Sequence, residues 1–152
     1  TTAGVLQAPL GAQTPTPNVN LLSNGSYHVM VTNAGGGYSR WRDLAVTRWR
    51  EDPTCDAWGS FVFVRDLDAA QCWSVAHQPT LRQAASYEAV FSEGRAEFRR
   101  RDGELETYTE IVVSPERDVE LRRVRITNRS SRPRRIELTS YAEVVLAPPG
   151  AD

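Results

Sequence analysis

From Leu21 onward, apolar and polar residues alternate with a period of two, and no stretch sustains the 3.6-residue period of a three-turn helix. Residues 104–113 show it best. Leu105, Thr107, Thr109, Ile111 and Val113 fall on one face and mostly acids on the other. Pro115 ends that strand, because proline cannot donate a ladder hydrogen bond. Turn signals separate the alternating runs. Asn24-Gly25 precedes residues 26–32, and Asp102-Gly103 lies between residues 95–101 and 104–113. A short polar turn at 67–70 joins residues 60–66 to 71–75. Short strands joined by tight turns predict an all-β, antiparallel sandwich.

The same pattern predicts a hairpin between residues 119–127 and 134–146, turning at 128–132. Within 119–127 the apolar positions change parity, from Val119 and Leu121 to Val124 and Ile126, which predicts a bulge near Arg122-Arg123. The expected core is Phe61 or Val62 with Trp73, Val90, Phe98, Leu105, Ile111, Val113, Leu121, Ile126, Ile136 and Leu138. Arginines 99–101 and 132–135 flank turns and read as exposed charge. Residues 1–20, with three prolines among small residues, read as a linker and not a signal peptide; the sandwich domain is expected over 21–152.

The chain of 152 residues has the length of one domain. Its formal net charge of −1 argues against a nucleic-acid coat. No apolar run is long enough to cross a membrane as a helix, so no membrane contact is expected from this segment. Cys55 and Cys72 fit neither a disulfide framework nor a metal spacing, and His77 has no second ligand at metal spacing. His28, on an apolar strand, reads as structural. No Ser/His/Asp set or facing carboxylate pair can be assembled from local sequence, so no catalytic and no metal residue is expected.

Residues 33–59 are different. Glycines 35–37 are followed by Tyr38, Arg40, Trp41, Arg42, Arg48, Trp49, Arg50 and Trp58, and three of the chain's four tryptophans fall here. Such a stretch reads as a loop and not as a strand and turn. Sugars are held by aromatic rings under their apolar faces and by planar polar groups at their hydroxyls, which suits this mixture. Gly36, Gly37, Tyr38, Arg40, Trp41, Arg48, Trp49 and Arg50 are therefore the candidate carbohydrate or inter-domain contacts, with Trp41 and Arg48 expected to face away from the core. The competing reading is a buried Trp41 and Trp49 with arginines paired to Asp43, Glu51 and Asp52 on a solvated surface.

The stretch GGGYSRWRDLAVTRWREDPTCDAWGSFVFVRDLDAAQCWS, with LLSNGSYHVMVTNAGGGYS before it and VELRRVRITNRSSRPRRIELTSYAEVVLAP after it, resembles the N-terminal β-sandwich of the inverting glycoside phosphorylases, the cellobiose phosphorylase relatives. Within that group it is most similar to the phosphorylase-like region of bacterial cyclic β-1,2-glucan synthases. The resemblance covers about residues 21–148. It implies a galactose-mutarotase-like super-β-sandwich, here truncated. It also implies a separate (α/α)6 barrel that carries the general acid and most sugar and phosphate contacts. The implied parent reaction is inverting transfer of a β-linked glucosyl unit to or from phosphate.

The expectation is thus a non-catalytic carbohydrate-binding or docking fragment, inactive alone. It needs no cofactor itself, whereas the parent would use inorganic phosphate or a sugar phosphate. Its expected partners are a β-glucan oligosaccharide and the barrel of the parent chain, with a homodimer left open. The resemblance also implies a bacterial protein, in the cytoplasm or at the cytoplasmic face of the inner membrane. The alternatives are a stand-alone carbohydrate-binding module and a generic immunoglobulin-like interaction domain.

Overall fold

A computed structural model describes residues 8–52 and 54–151; residues 1–7 of the expected linker and Asp152 lie outside the described residues. Among the described residues twelve strands run in chain order: β1 Val19–Ser23, β2 Tyr27–Thr32, β3 Gly37–Trp41, β4 Leu44–Thr47, β5 Phe61–Asp66, β6 Gln71–Ser74, β7 Ser86–Ser92, β8 Arg95–Asp102, β9 Leu105–Val113, β10 Glu120–Asn128, β11 Ile136–Tyr141 and β12 Val144–Ala147. All named pairs are antiparallel. They form a five-stranded sheet (β1-β2-β3-β4-β12), a four-stranded sheet (β10-β9-β8-β7) and a three-stranded sheet (β11-β5-β6). The all-β antiparallel expectation holds.

One face of the four-stranded sheet is covered twice. Toward the Ile111 end of β9, Ala89, Phe91, Ala96, Phe98 and Ile111 pack against Leu22, Tyr27, Val29 and Val31 of the five-stranded sheet. Toward its Leu105 end, Leu105 packs with Val64, Trp73 and Val75, and Val124, Ile126 and Ile136 close around them. Phe61, Trp73, Phe98, Leu105 and Ile111 are buried as the alternation predicts.

Several expectations fail, each for a physical reason. Leu121 and Leu138 are 57 % and 51 % exposed and are not core. Leu121 lies on the outer face of β10, and β10 has no bulge: it pairs with β9 in unbroken register from Glu120–Val113 to Asn128–Leu105. The parity change arises because Glu120 and Arg122, not leucine and valine, occupy the inward positions. Leu138 sits opposite Val64 on the inward face of the three-stranded sheet, but at an edge strand with no cover.

β10 and β11 are not a hairpin; they belong to different sheets, and residues 134–146 divide into β11 and β12. The chain leaves one sheet for another at Ala142–Glu143, where the Arg48 N–H donates to the Glu143 carbonyl at 2.8 Å. The turn after β8 is Gly103-Glu104, since Asp102 pairs with Leu105. Before β1, Leu10 and Ala89 exchange two backbone hydrogen bonds of 2.8 Å, so the stretch read as linker contacts the edge of β7.

Arg100 corrects the reading of 99–101 as exposed charge. It occupies an inward position on β8 and is fully enclosed. Its fork donates to both Asp102 oxygens at 2.7 and 2.9 Å, and to the carbonyls of Ala76 at 2.7 Å and Arg82 at 3.0 Å. A buried guanidinium persists only when its donors are satisfied in this way. Arg134 is likewise engaged, with the buried Asp66 carboxylate. Burial alone would raise the Asp66 carboxyl. The Arg134 hydrogen bond and charge, with the N–H groups of Ala69 and Asp68, outweigh it and hold the carboxyl below its usual range.

Candidate functional site

The stretch expected to be a loop forms the hairpin β3–β4, followed by an irregular arch to Ser60. The glycines explain how strand structure fits there. Gly37 has φ +146°, and a Cβ on it would lie 1.8 Å from the Met30 carbonyl oxygen, a contact no side chain permits. A Cβ on Gly36 would lie 2.0 Å from Oδ1 of Asp56. Both glycines are buried and serve close backbone approach.

Past Gly37 the pleat sorts the candidates. Ser39 and Trp41 face the four-stranded sheet, whereas Tyr38 and Arg40 face outward. Trp41, expected to face away from the core, packs against it, and its indole N–H donates to Asp118 at 2.6 Å. Arg42 sits over the Trp41 ring at 4.8 Å.

On the outer face, Tyr38 and Trp49 meet edge to face, with ring centroids 5.4 Å apart. They line a groove of about 290 Å³ with Arg40, Arg48 and Arg50; Val145, Ala147 and Pro148 form its far wall. Five of the eight candidates therefore come together, and Gly36, Gly37 and Trp41 lie elsewhere. Trp49 is 39 % exposed. Arg48 pairs with Glu143 at 2.7 Å, not with Asp43 or Asp52, whereas Arg40 does reach Asp43 at 3.8 Å. Trp49 and Arg50 also border a second groove of about 300 Å³, lined by Val19, Met30, Asp56 and Trp58.

Two acidic groups that local sequence did not single out fix this region. Asp56 anchors the arch: it accepts from the Thr32 hydroxyl and the Gly36 N–H. Burial pushes its carboxyl above the usual range, and those two hydrogen bonds only partly oppose it. Glu120 lies between the sheets and accepts from Tyr27 at 2.9 Å, from Ser39, and from Arg122 at 2.7 Å. Burial alone would raise the Glu120 carboxyl. The Arg122 charge and the hydrogen bonds from Ser39, Arg122 and Tyr27 outweigh it and hold the group below its usual range. Burial and the Glu120 charge push the Tyr27 phenol up to about 12. The parity change in β10 was the one sequence signal for Glu120.

His28 hydrogen-bonds Ser23 at 2.7 Å, as a structural histidine would. Among the described residues no group of three or more His, Cys, Asp or Glu is placed to hold a metal ion. None of their helices is long and apolar enough to cross a membrane. The groove offers stacking surface and hydrogen-bond donors to a neutral polyhydroxylated ligand. Among the described residues that line it there is no carboxylate side chain.

Comparison with known proteins agrees with the all-strand fold. The chain is 43 % identical over 132 residues to the cyclic β-(1,2)-glucan synthase NdvB of Rhizobium meliloti, covering 87 % of this chain and 5 % of that protein. It is 30 % identical over 135 residues to the N,N'-diacetylchitobiose phosphorylase of Vibrio furnissii, covering 85 % and 17 %. It is 26 % identical over 145 residues to the solabiose phosphorylase of Paenibacillus borealis, covering 90 % and 18 %. The chain thus spans less than a fifth of each of these relatives. The family model for the glycosyl hydrolase 94 supersandwich domain matches residues 4–152, and the chain belongs to that family.

Proposed function

We propose that this supersandwich domain is a non-catalytic carbohydrate-contact and docking unit of a larger bacterial enzyme acting on β-linked glucans. The observation that carries the reading is the Tyr38–Trp49 pair, half-open to solvent on the outer face of the five-stranded sheet and ringed by arginines. Exposed aromatics beside planar donors suit a pyranose ring, and a patch of this kind marks an interaction site. The names of the relatives support a glycosyl-transferring or phosphorolytic parent, with phosphate or a sugar phosphate as co-substrate. The parent's helical barrel would supply the acid–base residues. The relatives are bacterial, in keeping with a cytoplasmic or inner-membrane-associated parent.

Titration of the chain with a β-1,2-linked glucan oligosaccharide, followed by backbone and indole NMR shifts, tests the reading. Weak, saturable shifts at Tyr38 and Trp49 that vanish in Trp49→Ala are the expected result. Shifts confined to other surfaces, or none at millimolar sugar with the same variant fully active in the parent enzyme, would overturn it.

A further inference from the structure

The outer face of the four-stranded sheet, away from the Tyr38–Trp49 groove, carries a different chemistry. Register places Glu88, Arg99, Tyr108 and Arg125 in one row across β7, β8, β9 and β10. The guanidinium carbons of Arg99 and Arg125 each lie 5.8 Å from the Tyr108 ring centroid. Among the described residues neither makes a side-chain hydrogen bond or ion pair, so the ring is their only specific contact. Their neighbours differ: Arg129 takes Glu106 at 2.9 Å, and Arg123 takes Glu110.

A groove of about 600 Å³ runs along this face. Among the described residues, and apart from Arg100, which turns inward to Asp102, five guanidiniums line it (Arg99, Arg101, Arg123, Arg125, Arg129) with Glu88 and Glu106. Glu110, which takes Arg123, and Glu97, which accepts from the Tyr108 hydroxyl, lie on the same face, so Arg99, Arg101 and Arg125 are the cations there without a carboxylate partner. The whole chain has a net charge of −1, so the excess positive charge is local and not compositional. Like charges gathered on one face cost stability unless something anionic meets them.

Spacing indicates what that is. Strands lie about 4.8 Å apart and residues rise about 3.3 Å, so cations repeat roughly every 7 Å along a strand and about 10 Å between β8 and β10. One small anion cannot span that array, whereas an extended chain with regularly repeated carboxylates can, each meeting a guanidinium fork. Tyr108 adds apolar surface between the forks. A phosphodiester backbone would bring the same charge; the carbohydrate reading above is what favours a sugar polyanion, and DNA is therefore an arm of the test. We propose that the Arg99–Tyr108–Arg125 face binds an acidic polysaccharide, a sugar chain bearing a carboxylate on its repeating units. The saccharide part of this proposal rests on the carbohydrate reading above; the anionic part rests on the register and charge of this face alone.

The test is calorimetric titration of the chain with a polygalacturonate oligomer, a neutral β-glucan oligomer, and single-stranded DNA of matched charge. Polygalacturonate should bind at low salt, weaken as sodium chloride is added, and lose about tenfold or more in affinity in the R99Q/R125Q variant. Glu88→Gln should tighten it. Trp49→Ala should leave it unchanged, and the melting temperature of R99Q/R125Q should not fall. Unchanged polygalacturonate affinity in R99Q/R125Q, loss of binding in Trp49→Ala, tighter binding of DNA, or no polygalacturonate binding at millimolar concentration would each overturn the proposal. If polygalacturonate binds here and neutral glucan fails at Trp49, the earlier reading falls and this one stands.

Discussion

The two faces of the five-stranded sheet are built from the same residue types in the same short stretch of chain, yet they do opposite work. Trp41 and Trp49 belong to one hairpin and its exit. Trp41 packs on Tyr27 and the inner cluster, while Trp49 stands at the mouth of a groove against Tyr38. The inner face is closed by apolar contact with the four-stranded sheet and by the Glu120 hydrogen bonds at its margin. On the outer face, residues of the 48–60 arch border both grooves, with Pro148 and Pro149 across the first. Aromatic content therefore does not by itself mark a surface: strand parity turns Trp41 toward the core, whereas Trp49, past the end of β4, lies on the outer face beside Tyr38.

That contrast can be broken or sharpened by substitution. Leu22 and Ile111 are 1 % and 3 % exposed and meet across the sheets, so Leu22→Ala or Ile111→Ala should each cost about 2–5 kcal/mol in urea unfolding. A cost under about 0.5 kcal/mol would show that the inner face is not the core.

Glu120→Gln should cost about 1–3 kcal/mol at neutral pH, because a buried, multiply hydrogen-bonded carboxylate is replaced by an amide. Its effect should depend on pH. The Glu120 carboxyl is held below its unfolded value, so its contribution is full above about pH 4.3 and is lost as pH falls through the folded value. Asp66 adds a loss of the same sign. Asp56, whose carboxyl is raised, acts in reverse: its contribution is favourable in acid and declines as pH rises through its folded value. An acid titration of stability in which wild type and Glu120→Gln converge below that window would confirm the assignment.

Trp41→Ala should lower stability by about 1–3 kcal/mol, the half-buried fraction of a buried tryptophan. Arg48→Ala removes a partly exposed pair with Glu143 and should cost about 1 kcal/mol or less. Trp49→Ala should change stability by less than about 0.5 kcal/mol while abolishing glucan-induced shifts. An equal loss for Trp41→Ala and Trp49→Ala would erase the distinction between the two faces.

Much of the fold was legible because β8 and β9 place Ala96, Phe98, Leu105 and Ile111 on one parity, and turns such as 67–70 are locally encoded. In β7 the apolar run 89–91 hid the parity: Ala89 and Phe91 fill the core, and Val90, expected there, sits opposite Glu97 on the other face. What was hidden shares one cause. Wherever a charged residue occupies an inward position, as with Arg100, Glu120 and Arg122, alternation misreports the face. Only long-range partners reveal that the charge is satisfied: Ala76 and Arg82 for Arg100, Tyr27 and Ser39 for Glu120. The sheet membership of β11 and β12 was hidden for a similar reason, since pairing across more than 60 residues leaves no local signal. For the candidate site, residue types narrowed the search to 33–59, but the hairpin within it decided which side chains share a groove. Glu143 and Val145, from the far end of the chain, could not be reached from that segment.

Gly37 has a consequence for how this domain can vary. Its backbone passes over the Met30 carbonyl with no room for any side chain, and it sets the first position of β3. A slip of one residue there would turn Tyr38 toward the interior and expose Ser39 and Trp41. In a saturation library this position would score as a folding residue and, on the proposed carbohydrate role, as a binding residue at once. Revertants of a Gly37 variant should therefore restore binding and thermal stability together, never one without the other.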